Sequence, residues 1–255
     1  MLANLRFGLF ALGLAALLLL ACETGFQLGR RAASRDIPRA FDEAAGWEIA
    51  VLGLAALLIG FTFEMAVSRY AARKQVLIEV ANAIETAYQR TQLVDESVGR
   101  DVRRLMRRYL DLRIDLYDVG VDRARTLEIE RESAELQRQI WARVAAVGRA
   151  DPRSITTGLL LQSVNAIRER AAERRASREM PVPPTVFVVV ILVAAFAVVS
   201  IGYSLGIAGK RMLFGMYVMP LLVGAVIMLV IDIALPGAGV VRVPDQPMLD
   251  LKEAL

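Results

Sequence analysis

The sequence predicts an all-α integral membrane protein: four transmembrane helices, with an extramembrane helical bundle between the second and third. Three observations lead there. Hydrophobic residues make up 56% of the chain while 23% are charged, so the two populations must be segregated along it. The apolar residues gather into four blocks, three of which reach the roughly 20 residues needed to cross a bilayer as a helix. The polar stretch between the second and third blocks repeats its apolar residues at helical spacing and shows no strand-like alternation.

The first span is placed at 1–29, followed by a loop over 30–46. Its apolar core, Phe7 to Cys22, would extend only about 24 Å as a helix, and Leu19-Leu20-Ala21-Cys22 resembles a lipoprotein cleavage box. Two readings are therefore open. Either the segment is removed and Cys22 carries lipid, or the helix is retained and Glu23 to Arg31 meets water. The residues after Cys22 favour retention, because Phe26 and Leu28 extend the apolar character up to Arg30-Arg31 at headgroup level.

The second span, 47–67, is interrupted only by Glu48 and Glu64. Ala56-x-x-x-Gly60 and Gly53 put small residues on it, which permits close helix contact. Leu57, Phe61 and Met65 repeat at four-residue intervals and share a face. The central segment, 68–180, reads as three or four helices with stripes at Leu77–Tyr88, Leu105–Leu116, Leu136–Val147 and Leu160–Ala171, separated by Gly99, Gly120 and Gly148. Asp151-Pro152 marks a stop, with Ser154 as cap of the next helix. Asn82 and Asn165 lie in or beside apolar stripes, where buried amides would bond between helices. The third span is 181–208, a turn follows at 209–211, the fourth span is 212–235, and 236–255 is a tail. Pro220 should kink the fourth span and free a carbonyl.

Composition also excludes chemistry. With no histidine and one cysteine, there is no His-based triad, no thiolate–imidazole pair, no Cys/His zinc site and no intrachain disulfide. Gly206 to Arg211 lacks the spacing and the Ser/Thr of a phosphate loop. The expectation is a protein that is not an enzyme and has no catalytic residues, metal or cofactor. Arginines in the central segment alternate with carboxylates, as on a solvated helix face, and aromatic stacking positions are few, so nucleic acid is not an expected partner. Carboxylates near span ends are functional candidates because burial in lipid is costly. These are Glu64, with Arg69 about a turn beyond as a candidate partner, and Asp232.

Glu23-x-Gly25-Phe26-x-Leu28-Gly29-Arg30-Arg31 resembles the start of the bacterial bestrophin-like family of membrane proteins. So do Gly60-Phe61-Thr62-Phe63-x-Met65-Ala66-x-Ser68-Arg69-Tyr70 and Glu79-x-Ala81-Asn82-Ala83-Ile84-x-Thr86-Ala87-Tyr88. The resemblance resumes at Leu159 to Asn165 and at Asp232-x-x-x-Pro236-x-x-Gly239-x-x-x-Val243 with Gln246-Pro247. It implies that the first helix is retained. By comparison with bestrophin anion channels it implies a homo-oligomer, a pentamer, that conducts chloride or another small anion through a neck lined by Leu57, Phe61 and Met65. A hydrophobic constriction of that kind gates by dewetting. It also implies a multi-pass protein of the inner membrane with the bundle and both termini in the cytoplasm. Counting basic residues beside the spans agrees, whereas discounting the long central domain reverses the result. The alternative function is a membrane-anchored helical scaffold or regulator that recruits a partner through its arginine-rich bundle.

Overall fold

A computed structural model describes residues 2–34, 40–119, 123–179, 182–235, 241 and 243–255. Among them every regular element is helical. Eight α-helices run α1 (Leu2–Ala33), α2 (Ala40–Arg90), α3 (Glu96–Asp118), α4 (Arg123–Ala150), α5 (Ile155–Glu179), α6 (Pro184–Ile207), α7 (Met219–Ala234) and α8 (Gln246–Ala254). A 3₁₀ turn, Thr91–Leu93, follows α2, and a π-helical segment, Phe214–Val218, leads into α7. Four helical stretches are long and apolar enough to span a membrane: Phe7–Ala33, Gly46–Leu93, Pro184–Ile207 and Phe214–Ala234. Helix also occupies part of the loop expected at 30–46, since α1 continues to Ala33 and α2 is already helical at Ala40.

The chain divides into two compact units, one of residues 1–69 and 181–241, the other of 70–180 and 242–255. In the first, α1, α6 and α7 surround a core of Leu14, Leu18, Phe26, Val190, Val198, Met216 and Ile227. The α1–α6 crossing is unusually close. A Cβ built on Gly25, Gly29, Gly202 or Gly206 would lie 2.1–2.2 Å from a backbone oxygen of the facing helix, on Val199, Tyr203, Cys22 and Phe26 respectively. Both helices carry a Gly-x-x-x-Gly pair at this point, so two flat faces meet with backbone against backbone. Among the described residues the expected small-residue contact at Gly53 and Gly60 is not made. A Cβ on either would meet nothing within 4 Å.

α6 ends in a Schellman cap. Gly209 takes the left-handed conformation with φ 66°, its N–H donates to Gly206 O, and Lys210 N–H donates to Leu205 O. In the π segment Met219 N–H donates to Phe214 O, five residues back. The next donor in that register would belong to Pro220, which has none. In that register Gly215 O receives no N–H, and it accepts the Cys22 thiol, with sulfur and oxygen 3.8 Å apart. Cys22 is fully buried in this packing.

In the second unit the last turns of α2 pack with α3, α4 and α5 through Ile84, Met106, Tyr109, Ile140, Val144 and Leu160. Gly99 and Gly148 lie inside α3 and α4 rather than between helices, each where a neighbour approaches closely: Thr91 O for Gly99 and the Leu161 side chain for Gly148. Asp95 caps α3 by accepting the Ser97 N–H, and Ser154 caps α5 by accepting the Thr157 N–H. Residues 246–254, expected as tail, form α8, whose Met248 and Leu251 are buried in the same core. Lys252 pairs with Asp111 at 2.6 Å.

Candidate functional site

Along the apolar part of α2, the buried residues are Val51, Ala55, Thr62 and Ala66. At about 100° per residue these fall on one side of the helix. Val51 and Ala55 pack with Val193 and Ala197 of α6, and Ala66 packs with Val230 and Ala234 of α7. Thr62 is tolerated on that side because its hydroxyl donates back to Leu58 O at 2.7 Å.

The opposite side has no partner within the described residues. Leu57 and Phe61 are 53% and 63% exposed, and Met65 is 37% exposed. Leu57 and Phe61 sit squarely on this outer face. Met65 lies at its edge, beside buried Ala66. Glu64 and Ser68 are exposed and continue the Leu57–Phe61 face at i+7 and i+11 from Leu57. Gly53 and Gly60 lie on the same side with open space before them. The face thus combines apolar side chains, two glycines, a carboxylate and a hydroxyl.

Arg69, the expected partner of Glu64, is also exposed, and among the described residues no ion pair joins the two. Five positions along a helix separate side chains by about 140°, which turns them to different sides. Asp232 is buried near the end of α7, and its Oδ2 accepts the Val241 N–H at 3.2 Å.

Asn82 and Asn165 correct the expectation of buried amides, since both are exposed. Their neighbours Ala81 and Val164 face the core, which turns the next position outward. Asn165 donates to Glu169 on its own helix at 2.8 Å. Asn82 borders an open cleft of about 310 Å³ with Thr86, Arg90, Gln162 and Ser163. Arg90, which the sequence reading passed over, ties α2 to α5 by donating to Leu159 O at 2.8 Å and to Ser163 Oγ at 3.0 Å. Its signal was a lone arginine closing an apolar stripe.

A second feature was missed. Arg211 pairs with Glu23 at 3.0 Å, and its guanidinium lies 4.8 Å from the centre of the Phe26 ring. In the sequence Glu23 and Phe26 carry the family resemblance, and Arg211 only closes the Gly206–Arg211 stretch that lacks the features of a phosphate loop. No group of three or more Cys, Asp and Glu comes together as a metal site among the described residues.

The model of the Bestrophin-like domain family matches residues 8–248 of the chain. Two solved structures are similar in fold, each described as the crystal structure of a membrane protein. One is 12% identical with a TM-score of 0.64, covering 92% of this chain and 98% of its own. The other is 14% identical with a TM-score of 0.65, covering 96% and 98%. No curated protein matches.

Proposed function

The chain belongs to the bestrophin-like family, and from that premise we propose that it assembles into a homo-oligomeric membrane ion channel with the outer face of α2 turned toward the axis. The observation that carries this is the two-sidedness of α2. One side packs on α6 and α7, while the other presents Leu57, Phe61, Gly53, Gly60 and Glu64 to no partner among the described residues. A helix facing lipid on that side would have no use for a carboxylate, whose exposure to hydrocarbon is costly. Copies arranged around an axis would give Glu64 water and let Leu57 and Phe61 form stacked apolar rings, the form of a constriction that opens by wetting.

Bestrophin resemblance implies a pentamer and an anion as the permeating ion, and a bundle on the cytoplasmic side of the inner membrane. The alternative of a scaffold that recruits a partner through its arginines has less support. Many of those arginines are tied to carboxylates of the same unit, including Arg103 with Glu96, Arg170 with Glu79 and Glu173, and Arg143 with Asp101.

The test is twofold. Mass measurement of the protein in nanodiscs counts subunits, and a bilayer recording reads current. Conduction by an oligomer, altered in Phe61→Ala, is expected. A stable monomer that carries no current would refute the proposal.

A further inference from the structure

Resting on the channel reading, we infer that Glu64 is the residue that sets the sign of the permeating ion, and that it favours cations. Glu64 stands one turn beyond Phe61 and two turns beyond Leu57, within about 20° of the direction of Leu57. It therefore faces wherever Leu57 faces. Gly60, one turn before it, adds no side chain to cover it, and Ser68, one turn after it, is an exposed hydroxyl.

Among the described residues no positive charge is paired with it. From Trp47 to Ser68 the helix carries no lysine or arginine. Arg69 points about 140° away, and no ion pair among the described residues reaches Glu64. Three residues short of Val67, where the apolar block ends, the carboxylate lies about 4.5 Å inside it.

Repeated around an axis, these carboxylates form a ring of fixed negative charge at one mouth of the apolar constriction. Rings of Asp or Glu are the usual means by which cation channels concentrate their ion. Low-dielectric walls on either side focus the field, and a local potential of only about 1 kT already changes the ratio of cation to anion concentration about tenfold. This sign is opposite to the one that the family resemblance implies, so the two expectations separate in one measurement.

The experiment is a reversal-potential recording across a planar bilayer with a potassium chloride gradient, made on wild type, Glu64→Gln and Glu64→Lys. Wild type is expected to prefer potassium. Glu64→Gln should lower the cation-to-anion permeability ratio about tenfold, and Glu64→Lys should bring it below unity. Glu48→Gln, on another side of α2, should leave the ratio unchanged. A wild type that prefers chloride, or a ratio that does not move in Glu64→Gln while current persists, would overturn the inference and leave the channel standing.

Labelling with a membrane-impermeant cationic thiol reagent provides a readout independent of current. Glu64→Cys should react and Phe63→Cys, about 100° around the helix, should not, with native Cys22 buried. Absence of both labelling and current in folded oligomers would remove the channel reading and this inference together.

Discussion

Gly202→Ala should be among the most damaging single-methyl changes in the first unit. The added Cβ would lie 2.1 Å from Cys22 O, with Phe26 N at 3.0 Å behind it. An ordinary carbon–oxygen contact needs about 3.3 Å, so the helices must part by about 1 Å. Neither obstacle is the end of a flexible side chain, so no rotamer change relieves the clash. Overpacking of this kind costs about 1–3 kcal/mol, and widening the crossing also loosens the contacts at Gly25, Gly29 and Gly206. At about 2–4 °C per kcal/mol for a chain of this size, the thermal midpoint should fall by about 2–12 °C. The midpoint is read as loss of the monodisperse size-exclusion peak in detergent after heating. Gly53→Ala is the control. It adds the same methyl into open space, and the better helix propensity of alanine makes it neutral or stabilising by up to about 1 kcal/mol. Gly25→Ala combined with Gly202→Ala should cost less than the sum, because helices already parted by one methyl have room for the other. Equal midpoints for Gly202→Ala, Gly53→Ala and wild type would refute the close crossing.

Two further outcomes can be measured in the same way. Pro220→Ala supplies the N–H that Gly215 O lacks, so Cys22→Ala should destabilise the protein less in a Pro220→Ala background than alone; an unchanged cost would show that the thiol is not substituting for the missing donor. The Asp95 carboxyl is held below its ordinary value, first by the hydroxyl and then by the N–H of Ser97. Its folded pKa is depressed, so its contribution to capping α3 is complete above the unfolded value near 3.8 and is lost as pH falls through the lower folded value; Asp95→Asn, which keeps a capping oxygen, should therefore narrow the difference between midpoints at neutral pH and about pH 3, and an unchanged difference would contradict this.

Much of the helical character was legible because apolar spacing reports directly on which side of a helix is covered. Ile84, Tyr109, Ile140 and Leu160 come from four stripes read in the sequence, and they meet in one core. The same logic failed at Asn82 and Asn165 because proximity to a stripe was taken for membership. One position along a helix is a turn of about 100°, enough to move a side chain from core to water. Residues 246–254 escaped because two apolar anchors three apart, Met248 and Leu251, are too few to stand out in nine residues.

Pairings between spans were harder to read for a different reason. In lipid the apolar surface of a helix does not indicate its partner, since hydrocarbon and leucine are equally good neighbours. What selects partners is close backbone approach and the satisfaction of stray polar groups, and both depend on two distant segments at once. Gly25-x-x-x-Gly29 is one small-residue pair among several, and it acquires meaning only opposite Gly202-x-x-x-Gly206. Cys22 is unremarkable until a π segment and Pro220 leave a carbonyl facing it. The face of α2 reverses this relation. There the residues themselves, glycines with open space before them and a carboxylate among apolar side chains, are what supports the proposal of a complementary surface on another copy.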